Sequence, residues 1–190
     1  MEKIKVDRNA FMYPMPVVLV GTMIENRPNF MAVAWISRVN FQPPLVAVAI
    51  GLRQYTNGGI QTHQTFSVNI PSVDLIEKVD FCGLVSGRNR DKSKVFEIFN
   101  GELPNTPMVK DCPLTMECKV IQTVNLPADY LYIGEIVNAY CEDRYLTDGK
   151  PDIHKMKPFT LTMPDNQYWK IGEKAGKAWS IGKNYKAEGA

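Results

Sequence analysis

The segment Arg53 to Gly59 has the residue types and order best suited to binding a charged ligand. It follows the apolar run Leu45 to Leu52, so a strand is predicted to end directly where a short helix begins. Such a junction leaves backbone N–H groups open, Thr56 can cap the helix, and Arg53 adds a planar guanidinium. The segment therefore predicts an anion site, with phosphate as the anion. The alternative is an ordinary capped turn with a solvated arginine.

The other reactive side chains form no familiar catalytic or metal-binding pattern. The cysteines and histidines are Cys82, Cys112, Cys118, Cys141, His63 and His154. Their spacing matches neither a zinc site nor a C-x-x-C redox pair, and two distant histidines offer little for a nucleophile–base triad. We therefore expect reduced, mostly buried thiols, no metal, and no catalytic residue supplied by the chain itself.

Composition indicates a folded domain of ordinary type. The chain has 190 residues, of which 45% are hydrophobic and 22% charged, and this predicts a single domain over residues 1–190. A net charge of +2, without a basic cluster interleaved with aromatics, argues against nucleic-acid binding. No apolar run approaches the roughly 20 residues that cross a bilayer, and the N-terminus lacks an apolar signal core. We expect a cytoplasmic protein that binds no membrane.

Apolar runs bounded by turn residues predict six antiparallel strands, which suit a small barrel. They are Val17 to Met23, Phe30 to Ile36, Leu45 to Gly51, Thr65 to Ile70, Thr115 to Val124 and Tyr130 to Tyr140. Helical spacing predicts two short helices, one after Ser72 that ends near Gly83 and one after Lys94 that ends near Gly101. The segment Pro158 to Lys186 mixes glycines with aromatics and predicts a wrapping C-terminal arm.

Two of the predicted strands bear on assembly. Phe30 to Ile36 and Leu45 to Ile50 are apolar on both faces instead of alternating with polar residues. A small barrel hides only its inner face, so helices, the arm or a second subunit must cover the outer one. We predict a homodimer.

The order and spacing of several segments resemble the flavin-reductase-like FMN-binding split-barrel family, most closely its flavoredoxin branch. The segments are Tyr13-Pro14-Met15-Pro16-Val17, Asn29 with Ala32-Val33-Ala34-Trp35, Pro43-Pro44-Leu45-Val46, Thr56 with Ile60, Phe66-Ser67-Val68-Asn69-Ile70, Ile133-Gly134-Glu135-Ile136-Val137 and Tyr168-Trp169-Lys170-Ile171-Gly172. The resemblance covers nearly the whole chain, and the combination is far more specific than any one segment.

The resemblance implies a mainly β fold with short helices, of α+β type: an antiparallel six-stranded Greek-key split barrel with a C-terminal arm, homodimeric, with FMN near the interface. The flavin then carries the reactivity. The family pattern places the phosphate near Arg53, Thr56 and the open amides of Asn57. Other positions would face the isoalloxazine and ribityl chain, mainly through backbone groups, namely Asn29, Ala32, Val33, Ala34, Trp35, Ile36 and Ser37.

Three further side chains enter through the resemblance. Trp35 would stand beside the ring, Phe159 would form a wall for it, and the Lys92 ammonium would lie close to the flavin or its phosphate and raise the reduction potential. The alternatives are a core aromatic for Trp35, packing for Phe159 and a solvated loop for Lys92 with Arg88 and Arg90. Tyr130 is a departure, because many relatives carry a titratable histidine there.

Three functions remain open. The first is an FMN-bound electron-transfer protein of flavoredoxin type, working between a redox partner and an acceptor. The second is an NAD(P)H:flavin oxidoreductase; no G-x-G-x-x-G follows a strand, but relatives accept hydride from a nicotinamide stacked on the flavin. The third is a flavin-free binding module.

Overall fold

The computed structural model describes residues 1–183 and 185, so Asn184 and Lys186 of the predicted arm lie outside the described residues. The helices are α1 (Thr56–His63), α2 (Ile76–Leu84) and α3 (Ile153–Met156). The strands are β1 (Met15–Pro16), β2 (Val18–Ile24), β3 (Arg27–Val33), β4 (Ile36–Asn40), β5 (Leu45–Gly51), β6 (Thr65–Ile70), β7 (Ile98–Phe99), β8 (Met108–Val109), β9 (Leu114–Asn125), β10 (Asp129–Cys141), β11 (Leu146–Thr147), β12 (Lys150–Pro151), β13 (Phe159–Thr162) and β14 (Gln167–Lys170). None of the helices described is long and apolar enough to cross a membrane.

Seven strands form one antiparallel sheet in the order β3-β2-β6-β9-β10-β5-β4. Strands β3 and β4 are its two edges, yet only Ala34 and Trp35 connect them. An extended chain covers at most about 3.6 Å per residue, so Val33 and Ile36 lie within roughly 11 Å of each other. The sheet must therefore curl until its edges nearly meet. Because the edges do not pair, this is a split barrel, as predicted.

The sequence predicted six strands, whereas this sheet has seven. The predicted strand Phe30 to Ile36 is broken at Ala34 and Trp35, and its second part continues as β4 on the opposite edge. No glycine, proline or polar cluster marks the break, so the apolar run reads as continuous.

The inside of the barrel is filled by inward-facing side chains of the sheet. Strand β5 alternates: Val46, Val48 and Ile50 are buried, whereas Ala47 and Ala49 face outward and are partly exposed. Helix α1 contributes the fully buried Ile60 to this core. The packing fixes α1, and with it the turn that precedes it, against the barrel.

A second core lies outside β2 and β3, where α2 and the C-terminal arm cover the sheet. Its buried members include Leu19, Phe30, Val79, Phe96 and Phe159. Strands β13 and β14 join β1 in a separate three-stranded sheet. Tyr168 of β14 donates a hydrogen bond to Asp80 of α2 at 2.8 Å. Beyond Lys170 the described chain is almost entirely exposed, and Trp179 is 96% exposed.

One predicted helix is confirmed and the other is wrong. The first begins as a 3₁₀ turn, with the Ser72 hydroxyl accepting from the Asp74 amide, and continues as α2. The second is absent, because β7 pairs with β8 over the residues assigned to it. Three apolar positions at helical spacing were too few to distinguish a helix from a short pairing strand.

Candidate functional site

The turn between β5 and α1 is a strand-to-helix junction, as predicted, but Thr56 does not cap the helix. Tyr55 occupies the N-cap position without a side-chain capping bond, and Thr56 is the first helical residue. The Thr56 hydroxyl instead accepts a hydrogen bond from the Asn29 side-chain amide at 3.0 Å. Asn29 lies on β3, so this contact holds the start of α1 against the edge strand.

Asn57 does not offer the open amide that was expected of it. Its backbone N–H donates to Gln54 at 3.2 Å, and its side chain points inward, donating to the Gly51 carbonyl at 2.8 Å. Tyr132 donates to Asn57 Oδ1 at 3.0 Å, and burial raises the pKa of Tyr132 to about 12, so the donor persists at neutral pH. Asn57 thus anchors the turn. In this turn, across residues 1–183 and 185, the backbone amides of Arg53, Tyr55 and Thr56 have no hydrogen-bond acceptor.

Lys92 is buried, which excludes the solvated-loop alternative for this residue. Lys92 is only 4% exposed. Its Nζ donates hydrogen bonds to the Phe30 carbonyl at 2.9 Å and to the Cys82 carbonyl at 2.8 Å. Burial lowers the pKa of Lys92, while the charge interaction with Cys82 raises it. In the described part of the chain no carboxylate pairs with it. An uncompensated cation of this kind attracts an anionic ligand.

A cavity of about 210 Å³ brings Thr56 and Lys92 together, and we call it the α1 cavity. Its other walls come from the turn before α1, from the end of α2 and from the loop that follows, including Tyr55, Cys82, Ser86 and Gly87. Arg53 is exposed on the same turn and does not line this cavity. Tyr55 and Thr56, whose amides have no acceptor, therefore border the same small space as the buried Lys92.

A larger groove of about 910 Å³ lies on the outer face of the barrel, and we call it the Trp35 groove. Trp35 is 51% exposed in it, so Trp35 is not a core aromatic. Ala34, Ile36 and Ser37 line the same groove. Ala47 and Ala49 give it a flat floor, because their side chains end at Cβ.

Several groove residues were missed from the sequence. Leu131 lines the groove, whereas Tyr130, the position singled out beforehand, packs against the barrel core. Every second residue of β5 faces outward, and this alternation could have identified Ala47 and Ala49 as groove residues. The N-terminal segment 8–16 forms the other wall, and it carries no periodic pattern that would have placed it there.

The side chains of three expected site residues pack away from the cavity and the groove, although for Val33 and Ala32 the expectation concerned mainly backbone groups. The Val33 side chain points into the barrel core, and Ala32 lies against α2, where a Cβ on Gly83 would be 3.4 Å from its own. Phe159 is 2% exposed and makes an edge-to-face contact with Tyr168 at 5.3 Å. It has no exposed face to offer a ring, so its position supports the packing alternative.

The α1 cavity and the Trp35 groove lie close together along one strand. Met31 lines the cavity and Ala34 lines the groove, and three residues of extended chain span about 10 Å. A flat apolar groove beside a small space rich in donors suits a planar aromatic ring joined through a short chain to a phosphate. The residues present therefore fit a flavin mononucleotide.

Comparisons with known proteins point the same way. Residues 10–161 match the family described as flavin reductase like domain. The structure of flavoredoxin from Methanosarcina acetivorans is 50% identical, with a TM-score of 0.95 over 96% of this chain and 98% of that chain. Flavoredoxin of Desulfovibrio vulgaris (Miyazaki F) is 35% identical, with a TM-score of 0.89 over 96% and 100% of the two chains. An FMN-binding protein from Thermus thermophilus shares the fold at 22% identity, with a TM-score of 0.78 over 93% and 98%.

Proposed function

Because the chain belongs to the flavin reductase like family, we propose that it is an FMN-binding redox protein of flavoredoxin type. It passes electrons between a redox partner and an acceptor. The observation that carries the proposal is the Trp35 groove lying next to the α1 cavity. Bound FMN supplies the electron-transfer chemistry, and the chain binds and orients it.

The α1 cavity holds the phosphate in this proposal. The amides of Tyr55 and Thr56 and the Thr56 hydroxyl donate to phosphate oxygens, and the helix N-terminus adds a partial positive charge. Lys92 supplies the full charge from inside the protein. Arg53 adds a second charge from the surface of the same turn. The donor set favours the phosphorylated flavin over riboflavin.

The Trp35 groove receives the ring system. Ala47 and Ala49 let a planar ring approach the outer face of β5, and the half-exposed Trp35 offers an aromatic face beside it. Backbone groups from Ala34 to Ser37 lie at the seam of the barrel, where β3 and β4 leave their outer edges unpaired. Such groups can hydrogen-bond to the polar edge of the ring.

We propose that a second copy of the chain covers the open side of the groove. Trp35, Val39 and Phe41 are exposed, and the N-terminal segment covers one wall only. Exposed apolar area of this kind usually marks a partner surface. The homodimer would then exclude water from the flavin.

Spectral titration of the purified protein with FMN tests the proposal. The expected result is a bound-flavin spectrum at one FMN per chain; a protein that takes up no FMN would be the binding module instead. Anaerobic mixing of the loaded protein with NADH or NADPH separates the two redox functions. Rapid bleaching would identify the NAD(P)H:flavin oxidoreductase, and absence of bleaching supports a protein electron donor.

A further inference from the structure

We propose that Asn29 is a positioning residue that makes the Thr56 hydroxyl a hydrogen-bond donor toward the α1 cavity. The inference rests on the proposed phosphate site. It assigns Asn29 a side-chain role that acts through Thr56, whereas the family pattern suggested only a position near the flavin.

The first observation is the direction of one hydrogen bond. Asn29 Nδ2 donates to Thr56 Oγ1 at 3.0 Å, and the two residues are 5% and 3% exposed. An amide nitrogen can only donate, so the hydroxyl must accept here and keeps its own proton free. Throughout the described ranges, 1–183 and 185, no group accepts that proton. Because Thr56 lines the α1 cavity, the proton is available to an acceptor atom placed there.

The second observation explains why the Asn29 amide faces this way. Its Oδ1 is buried without a hydrogen-bond donor, and Asn29 and Lys92 line the same small cavity of about 20 Å³. The buried Oδ1 carries the negative end of the amide dipole, and Asn29 and Lys92 border the same space. The reversed amide would bury its NH₂ group near a cationic residue and would take the Thr56 proton for itself.

Gly87 holds this arrangement in place. A Cβ at Gly87 would overlap Asn29 Oδ1 and would stand 3.0 Å from Tyr55 Cδ1. The backbone of the loop after α2 therefore packs directly on the amide oxygen. The charge of Lys92 and the contact with Gly87 orient Asn29, and Asn29 orients Thr56.

The test compares FMN with riboflavin, which lacks the phosphate, in equilibrium titrations of the apoprotein. Thr56→Val and Asn29→Leu are each expected to weaken FMN binding on the order of tenfold and to leave riboflavin binding nearly unchanged. If Asn29 acts through Thr56, Asn29→Leu has little further effect in the Thr56→Val background. If Asn29 has a purely structural role, Asn29→Leu should weaken the binding of both FMN and riboflavin. It should do so in the wild-type background and in the Thr56→Val background alike.

Asn29→Ala is the second variant in case Asn29→Leu does not fold. It removes the amide donor without adding a charge, so FMN binding is again expected to fall relative to riboflavin. If Thr56→Val weakens FMN selectively and both Asn29 variants do not, the positioning role is wrong and the phosphate site stands. If Thr56→Val itself has no selective effect, the phosphate assignment fails, and the inference fails with it.

Discussion

The ammonium of Lys92 donates to the carbonyl of Phe30 at 2.9 Å, on the side of β3 that no other strand covers. Its second bond, to the Cys82 carbonyl, fastens the end of α2 to the same edge. A single side chain thus joins a strand, a helix and a loop, and it places a positive charge inside the protein beside the α1 cavity. This position makes Lys92 the most informative residue to change.

Lys92→Met should weaken FMN binding on the order of tenfold and shift the flavin reduction potential to a more negative value. A nearby cation stabilises both the phosphate and the more negatively charged reduced flavin, so its removal disfavours both. Titration calorimetry and spectroelectrochemistry measure the two effects. The exposed Lys94, two residues further on, provides the matched control Lys94→Met. Equal effects from both variants would mean that Lys92 acts through overall charge only.

FMN affinity should also fall at alkaline pH in the wild type. Burial lowers the pKa of Lys92 below its ordinary value of 10.5, so in the free protein the ammonium is lost at a lower pH than on an exposed lysine. Because the charged form binds phosphate, affinity should decline as pH rises through that lowered pKa. Titrations from pH 7 upward should show this decline in the wild type, and Lys92→Met should lack it.

Gly87→Ala should disrupt the site, whereas Gly58→Ala should not. A Cβ at Gly87 overlaps Asn29 Oδ1, so the loop must move and FMN affinity should fall by tenfold or more. Gly58 lies on the exposed side of α1 with open space around its Cα, so alanine there should stabilise the fold by about 0.5–1 kcal/mol. Thermal unfolding and FMN titration of both variants distinguish a local steric effect from a general loss of stability.

The strands of the barrel could be predicted from the sequence because each is an apolar run bounded by turn residues. The break at Ala34 and Trp35 could not, since no turn residue marks the point where the chain crosses to the other edge. The burial of Lys92 could not be predicted from the sequence either. It stands among charged residues that read as a solvated loop, and its partners are backbone carbonyls, which no sequence pattern reveals. The strand-to-helix turn was predicted, but its amides without an acceptor include those of Tyr55 and Thr56 and not that of Asn57.

Tyr168→Phe should reduce the loss of stability at high pH. Burial, together with the hydrogen bond to Asp80, raises the pKa of Tyr168 from 10.0 to about 12 in the folded protein. A raised folded-state pKa gives stability that is fully present below pH 10 and is lost as pH rises toward 12. The variant should be about 1 kcal/mol less stable at pH 8, and its stability should fall less steeply above pH 10. Urea unfolding at pH 8 and pH 10.5 measures both effects. If the free energy of unfolding falls equally in the wild type and the variant between these pH values, ionisation of Tyr168 does not contribute to the loss of stability.

Thiol labelling of the native protein should modify Cys141 first. Cys82, Cys112 and Cys118 are buried, and burial raises the pKa of the Cys82 thiol to about 11 even with Lys92 nearby. Cys141 is only partly buried, although burial and two neighbouring acids raise its pKa as well. With Ellman's reagent at pH 8 we expect one slow thiol in the native state and four in denaturant. Cys141→Ser should remove the native reaction. If a thiol still reacts, we assign it to Cys112, because Cys112 and Cys141 line one cavity of about 380 Å³.

Sedimentation at low micromolar concentration should show a dimer, and a charge at Phe41 should weaken it. Phe41 is exposed in the turn between β4 and β5, next to the edge strand that the sheet leaves unpaired. In a dimer that covers the Trp35 groove, Phe41→Arg would bury a cation without a partner, which is costly. Dissociation by Phe41→Arg should also accelerate release of FMN, because solvent then reaches the ring. The exposed Lys183, in the segment beyond β14, provides the control Lys183→Arg. A wild type that sediments only as a monomer would contradict the proposed dimer.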